Sequence, residues 1–160
     1  IDGENVVTAY DLLANGVPVG ERVVVLGGGH VGCEVAIDLE ERGKKVTVVE
    51  MGGPLVEEAD MSANMKLGLK ERLNRAHIQI HTYAKMVDIA PREVVVETEH
   101  GFIPLICDNV VLASGFRASG ALAKALEDKP YPVFPIGDCV KPGKVYDAVH
   151  GGFHALRKLG

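Results

Sequence analysis

The first half of the chain alternates short apolar runs with segments whose apolar residues recur every three or four positions. A continuous apolar run over 23–26 has the character of a strand buried on both faces of a parallel sheet. The following segment, 30–42, predicts a helix with one apolar face and a stop at Gly43. The residues of that face are Val31, Val35, Ala36 and Leu39. A second strand over 45–50 ends in Glu50, so the pattern predicts a parallel βαβ unit.

The middle of the chain extends this alternation and then interrupts it. A helix is predicted over 60–75, where apolar residues recur at four-residue steps, and a short third strand over 78–80. The apolar positions of that helix are Met61, Met65, Leu69 and Leu73. Three β-rich segments separated by turn residues then predict an antiparallel meander. They cover 86–90, 93–97 and 102–106.

A further strand over 109–113 is expected to return to the sheet beside the first strand. With the strands numbered along the chain and the meander left out, the predicted parallel order is 3-2-1-4. The fold class is therefore α/β, a three-layer arrangement in which a β-meander replaces one crossover helix.

The last third of the chain has a weaker pattern. Residues 133–136 predict a short strand that ends in Gly137-Asp138, and we expect it to add a fifth strand to the sheet. Ser119 is expected to cap a helix that runs to about residue 127. A final helix is predicted over 145–158, with its apolar face inward. That face comprises Val145, Val149, Phe153 and Leu156.

Composition limits the possible partners. The 160 residues are 47% hydrophobic and 24% charged, which suits one well-formed core, and the net charge of −5 without a basic cluster argues against a nucleic-acid or anionic membrane surface. No apolar run approaches the ~20 residues of a membrane helix and no signal peptide is evident, so a cytoplasmic protein is expected. Three separate cysteines without a C-x-x-C pair indicate packing residues rather than a disulfide framework, a nucleophile or a metal site. They are Cys33, Cys107 and Cys139.

The strand at 23–26 runs into a G-x-G-x-x-G motif at 27–32, which is typical of a Rossmann-like dinucleotide site. Gly27 permits the tight turn, Gly29 lets backbone amides approach phosphate, and Gly32 lets the helix pack close to the sheet. The remaining loop positions are Gly28, His30 and Val31. His30 fits a phosphate or nicotinamide contact, but an exposed loop histidine explains it better. Unsatisfied amides at the helix start can hold a diphosphate without Lys or Arg.

Glu50 ends the second strand, 23 residues after Gly27, close to the ~20-residue interval expected for a carboxylate that binds the adenosine ribose hydroxyls. No Arg follows within 51–54 to receive a 2′-phosphate. The sequence therefore predicts that NADH is favoured over NADPH. The alternative interpretation of Glu50 is a solvated strand end.

Taken with A-S-G-F-R at 113–117 and I-G-D at 136–138, the motif resembles the flavoproteins of the pyridine nucleotide-disulfide oxidoreductase fold, in which an NAD(P)H domain interrupts an FAD domain. The segment 137–150 is similar to NADH:flavin oxidoreductases of the 2,4-dienoyl-CoA reductase and trimethylamine dehydrogenase group. This resemblance implies NADH and FAD as cofactors, hydride transfer from NADH to flavin, and no catalytic residue in this chain. It also implies cofactor-binding roles for Gly115 and Gly137, and a contact from Asp138 to the FAD ribityl chain. His150 is implied to lie near the flavin, and a surface histidine is an equal alternative.

The departures from that family concern what is missing. A single glycine motif is present, whereas the family carries an earlier copy for FAD and, further upstream, an FMN-binding barrel and cysteines for an iron–sulfur cluster. Because the chain begins at Ile1 and stops at Gly160 inside an expected helix, it is interpreted as a piece of a longer polypeptide. Its partners are then NADH and the remainder of the parent flavoprotein.

The resemblance divides the chain into three parts. Residues 1–20 are interpreted as a connector, 21–116 as the NAD(H)-binding domain, and 117–160 as a segment that belongs with the FAD domain of the intact enzyme. The alternative function is a free-standing regulatory or redox-sensing module that binds NADH and catalyses nothing. The Gly137-Asp138 segment favours the first interpretation, because a bare NAD module needs no flavin-contacting strand end.

Overall fold

The computed structural model describes residues 3–57 and 61–158, and the chain divides into two compact units, Ile1–Ser114 and Gly115–Gly160. In the first unit a parallel sheet lies between a layer of helices and a smaller antiparallel sheet. This is the α/β class that the sequence predicts. None of the helices within the described ranges is long and apolar enough to cross a membrane.

The parallel sheet has five strands. Its order across the sheet is β1 (Val6–Thr8), β8 (Asn109–Leu112), β2 (Arg22–Leu26), β3 (Lys45–Val49) and β4 (Gln79–His81). The predicted 3-2-1-4 order is therefore confirmed, with β1 added at one edge. The fifth strand comes from the segment interpreted as a connector and not from 133–136. The third strand lies one residue later than predicted.

Three helices cover one face of this sheet: α1 (Ala9–Asn15), α2 (His30–Glu41) and α3 (Ala63–Arg75). Side chains alternate along a strand, so Val23 and Val25 of β2 pack under these helices. Helix α3 begins after Ser62, whose hydroxyl accepts a hydrogen bond from the Met65 amide at 3.4 Å. Its predicted start at residue 60 lies outside the described residues.

The other face of the sheet is covered by the meander, which consists of β5 (Lys85–Ala90), β6 (Glu93–Thr98) and β7 (Gly101–Ile106). Val94 and Val96 of β6 are fully buried in one cluster with Val24 and Val110. The central strands therefore lose solvent on both faces, which explains their nearly continuous apolar sequence.

Within α3 the predicted apolar stripe is only partly inward. Leu69 and Leu73 are buried in the helix-side core, and Met61, just before the helix, packs partly against it. The prediction is wrong for Met65, which is exposed. A strict four-residue step drifts around a helix of 3.6 residues per turn, so Met65, the first of these positions within the helix, lies farther from the core direction than Leu69 and Leu73.

The second unit contains α4 (Ala121–Ala125), a 3₁₀ turn (Gly137–Cys139) and α5 (Val145–Leu156). The strand predicted over 133–136 is absent: Pro132 and Pro135 remove two backbone donors from this stretch, which disfavours strand pairing. Helix α4 begins after Gly120, so Ser119 is not its cap. Helix α5 is present, but its predicted inward residues are exposed. They are Val145, Val149, Phe153 and Leu156.

The beginnings of β2 and β8 are joined by the Asp108 carboxylate. It accepts hydrogen bonds from the Arg22 amide at 2.8 Å, the Arg22 guanidinium at 2.9 Å and the Glu21 amide at 3.1 Å. The Arg22 side chain first, and then the Arg22 amide, lower the pKa of Asp108 from 3.8 to about 2. Asp108 is thus stabilised in its charged form in the folded chain.

Asp108→Asn is expected to lower the thermal midpoint of unfolding at pH 7, because the amide group cannot accept from all three donors as a carboxylate does. The depressed pKa also sets the sign of the pH dependence. The contribution of Asp108 is complete above its unfolded pKa of about 4 and is lost as the pH falls towards about 2. Melting curves from pH 6 to pH 2 check this. A variant whose acid sensitivity equals that of the parent chain contradicts the assignment.

Candidate functional site

The candidate site forms where β2 turns into α2. Gly27 leaves the strand at φ +117°, a backbone conformation that favours glycine, and its amide donates to the Val49 carbonyl oxygen at 2.9 Å. A Cβ on Gly27 would lie 2.6 Å from the Ala113 carbonyl oxygen of the neighbouring chain segment. The turn is therefore restricted to glycine by conformation and by space.

Gly32, in the first turn of α2, is restricted by space alone. A Cβ at this position would lie 2.0 Å from the Gly27 carbonyl oxygen and 3.2 Å from the Ala113 side chain. The helix start therefore packs on the strand end at a distance that only glycine allows, as the sequence predicts. Gly28 is buried against Leu55 and Glu50, and a Cβ there would lie 2.4 Å from Leu55 Cδ2.

Gly29 differs from these three glycines. It is exposed, it precedes α2 in an extended conformation (φ −70°, ψ −177°) that any residue adopts, and a Cβ on it would meet nothing within 4 Å. No side chain caps the helix at this point. The first amides of α2 lack intrahelical partners by the geometry of any helix, and here they face an open approach. Nothing in the described chain requires glycine at this position.

A cavity of about 210 Å³ opens beside Gly29 at the carboxyl ends of β2 and β3. It is lined by Gly28, Gly29, His30, Glu50, Gly52, Gly53, Pro54, Val56 and Glu57. Glu50 and Glu57 are the only charged side chains among these described lining residues when His30 is counted as neutral. A larger depression of about 450 Å³ lies near the start of β3 and includes Lys44 and Lys45. Ligands of open α/β sheets bind at the carboxyl ends of the strands, which favours the smaller cavity.

The Glu50 carboxylate is held by two backbone amides. One of its oxygens accepts from Gly28 N at 2.5 Å, and the other accepts from Gly52 N at 2.6 Å. A carboxylate has about four acceptor positions, so two hydrogen bonds leave capacity for hydroxyl donors in the cavity. Glu50 therefore fixes the glycine loop and can still bind a diol. This dual use is not deducible from spacing.

The Gly28 carbonyl oxygen, like the Gly28 amide, has hydrogen-bond partners within the chain. It accepts from the Val56 amide at 2.9 Å and from the Cys33 thiol at 3.3 Å. Burial, with a smaller contribution from the Glu50 charge, raises the pKa of Cys33 to about 12, so the thiol keeps its proton and remains a donor. Cys33 thus packs in the core and holds the glycine loop, in line with the sequence prediction of a packing residue.

Sequence reasoning missed Val56 and Glu57. Val56 is buried and has a φ of +65°, a left-handed conformation that is unusual for a β-branched residue. Such strain persists where the surroundings hold it, and here the amide of Val56 is bonded to the glycine loop. The only sequence signal was the Gly-Pro turn at 52–54, which marks a loop but does not show where the loop returns.

The remaining predicted site residues lie in the second unit. Gly115 has a φ of +91° and follows β8, and Gly137 has a φ of +65° at the start of the 3₁₀ turn. Asp138 is exposed and accepts a hydrogen bond from the Gly143 amide at 3.1 Å. None of the described residues that line the 210 Å³ cavity comes from this unit. Within the first unit the structure therefore brings together Glu50 and the glycine loop.

The cavity offers two kinds of chemistry. Free amides at an open helix start bind anions through hydrogen bonds and the helix dipole, and Glu50 binds hydroxyl groups. A molecule with a diphosphate and a ribose diol matches both. The open space at Gly29 and the neighbouring Glu50 carboxylate are therefore consistent with a site that binds a dinucleotide.

Comparison with known proteins extends this result. Residues 2–152 match the family described as pyridine nucleotide-disulphide oxidoreductase. The chain is 40% identical over 155 residues to an NADH oxidase of Thermoanaerobacter brockii, covering 94% of this chain and 24% of that protein. It is 48% identical over 165 residues to a cinnamate reductase of Clostridium sporogenes, covering 98% of this chain and 24% of that protein. A solved 2-naphthoyl-CoA reductase superposes with a TM-score of 0.81 at 32% identity, covering 94% and 23% of the two chains. The chain thus spans about a quarter of the length of each of these relatives.

Proposed function

The chain belongs to the pyridine nucleotide-disulphide oxidoreductase family, and we propose that its residues 21–116 are the NAD(H)-binding domain of an FAD-dependent oxidoreductase. The amides at the start of α2 would hold the diphosphate, and Glu50 would hold the adenosine ribose. The site is Gly27, Gly28, Gly29, His30, Val31, Gly32 and Glu50.

The observation that carries this proposal is the open space at Gly29. Three glycines of the motif have reasons within the chain, either a positive φ or a backbone or side-chain neighbour within 3 Å. Gly29 has neither, and its Cβ position lies beside unpaired helix amides. A glycine that the protein itself does not need is explained by a ligand that must approach the backbone closely.

The cofactor preference follows from the charges of the cavity. Glu50 accepts hydrogen bonds from ribose hydroxyls but repels a 2′-phosphate, and no Lys or Arg is among the described lining residues. We therefore expect the 160-residue chain to bind NADH at least about tenfold more tightly than NADPH, which corresponds to about 1.4 kcal/mol. Fluorescence titration of the purified chain with both nucleotides measures this ratio. Equal affinities contradict the role of Glu50.

In the intact enzyme, NADH held by this chain would supply hydride to the flavin. The contribution of this chain is positioning: the glycine loop holds the diphosphate and Glu50 orients the ribose, while the redox chemistry belongs to the cofactors. We assign no general acid or base to the chain. The parent enzyme is proposed to be an NADH:flavin oxidoreductase of the 2,4-dienoyl-CoA reductase and trimethylamine dehydrogenase group. An FMN site and an iron–sulfur cluster are then features of its other parts.

Residues 117–160 are proposed to belong with the FAD domain of that enzyme, with Asp138 and Gly137 on the flavin side and Gly115 at the junction. The exposed apolar residues of α5 support this, because a helix that leaves Val145, Val149 and Leu156 more than half exposed is suited to covering by another part of a protein. The relatives are about four times as long as this chain, so they contain ample polypeptide for such a partner.

A further inference from the structure

Glu57, on the wall of the 210 Å³ cavity, holds two lysine side chains of α3. Its carboxylate pairs with Lys70 Nζ at 2.7 Å, and its carbonyl oxygen accepts from Lys66 Nζ at 2.8 Å. Lys66 and Lys70 are four residues apart and therefore share one face of the helix. One residue of the cavity wall thus engages two neighbouring cations.

The stability of the chain does not explain this arrangement. The Glu57 side chain is 59% exposed and that of Lys70 is 42% exposed, and ion pairs of this kind contribute little to folding. The hydrogen bond and charge of Lys70 lower the pKa of Glu57, so Glu57 is fully ionised at neutral pH.

The cavity therefore has two acidic groups on its wall, Glu50 and Glu57, and Lys70, which pairs with the Glu57 carboxylate, is not among its described lining residues. A phosphate on a ribose bound by Glu50 would lie in the same 210 Å³ cavity as the Glu57 charge. At 0.1 M salt charges act over about 10 Å. Lysine is a common phosphate ligand, so release of Lys70 from the Glu57 carboxylate supplies the counter-ion that the site lacks. The bond of Lys66 to the Glu57 carbonyl oxygen does not depend on that carboxylate.

We propose that Glu57 is a specificity-determining residue whose carboxylate occupies Lys70 and keeps a negative charge on the cavity wall, and so rejects a nucleotide with a 2′-phosphate. This inference rests on the proposed function, because it assumes that the ribose binds beside Glu50. Glu57 would then be a second residue, besides Glu50, that discriminates against NADPH. It acts through its ion pair with Lys70 of α3, whereas Glu50 lies at the end of a strand.

The test is the ratio of the dissociation constants for NADPH and NADH, measured by titration of the parent chain and of Glu57→Gln. We expect the ratio to fall about three- to tenfold in Glu57→Gln at low salt, and the change to shrink when salt is raised. Glu71→Gln is the matched control, since it removes the same charge from an exposed position on α3 that does not line the cavity. Its ratio is expected to equal that of the parent chain.

A double variant separates the released Lys70 from the loss of one negative charge. Glu57→Gln combined with Lys70→Gln is expected to return the ratio to the parent value or above it. An unchanged ratio in Glu57→Gln, or a reduced ratio that survives in the double variant, overturns the inference while the proposed function stands. Absence of NADH binding to the parent chain overturns the proposed function itself, and the inference with it.

Discussion

Gly29→Asp is expected to weaken NADH binding about 100-fold or more while leaving the chain as stable as before or slightly more stable. Gly29 is the N-cap of α2, and its Cβ position is open. Aspartate is a better N-cap than glycine by a few tenths of a kcal/mol, because its carboxylate accepts from the first helix amides. Those same amides are proposed to bind the diphosphate, so the substitution fills the anion site with a competing charge.

The two effects have opposite signs, which distinguishes them from general damage to the fold. Titration with NADH gives the loss of affinity, and thermal unfolding without ligand gives the stability. Gly29→Asn, of nearly equal shape and without the charge, serves as the control and is expected to lose only about tenfold in affinity. If Gly29→Asp binds NADH as the parent chain does, the diphosphate does not lie at the start of α2.

Gly32→Ala is expected to destabilise the chain by about 3 kcal/mol or more. Its Cβ would lie 2.0 Å from the Gly27 carbonyl oxygen, and this neighbour is backbone that cannot rotate away. The start of α2 must move off β2, and the contact with Ala113 must open as well. Chemical denaturation of the parent chain and the variant measures the difference.

Gly68→Ala is the matched control, because it makes the same change in a helix at a position where the new Cβ meets nothing within 4 Å. Alanine has the higher helix propensity, so this variant is expected to gain about 0.5–1 kcal/mol. Two glycine-to-alanine changes in helices thus shift stability in opposite directions. Equal stability of Gly32→Ala and the parent chain contradicts the close contact of α2 with the strand end.

Elements with strong local patterns were predictable from the sequence. The run over 23–26 is apolar because β2 is buried on both faces, and the meander is marked by its turn residues. Strand β1 could not be predicted, because three residues have no periodicity and their place is decided by pairing with β8, about a hundred residues later. Residues 133–136 are apolar but do not form the predicted strand, because Pro132 and Pro135 remove backbone donors from this stretch.

Some residues of the candidate site were also predictable from the sequence, and others were not. The glycine motif and Glu50 were predictable, because strand–turn–helix geometry fixes their spacing along the chain. Val56, Glu57 and Cys33 were not predicted as parts of the site, since their contacts depend on the return of the loop after β3 and on the packing of α2. The apolar face of α5 was predicted from its spacing, but spacing alone does not state what covers a helix.

The central claim is that NADH binds at the turn between β2 and α2. Its most direct test is a titration of the isotopically labelled 160-residue chain with NADH, followed amide by amide in nitrogen–proton NMR spectra. We predict saturable shifts at one nucleotide per chain, largest for the amides of 28–32 and for Gly52, which donates to Glu50. Absence of shifts at these amides, or shifts confined to the 450 Å³ depression that includes Lys44 and Lys45, would contradict the account.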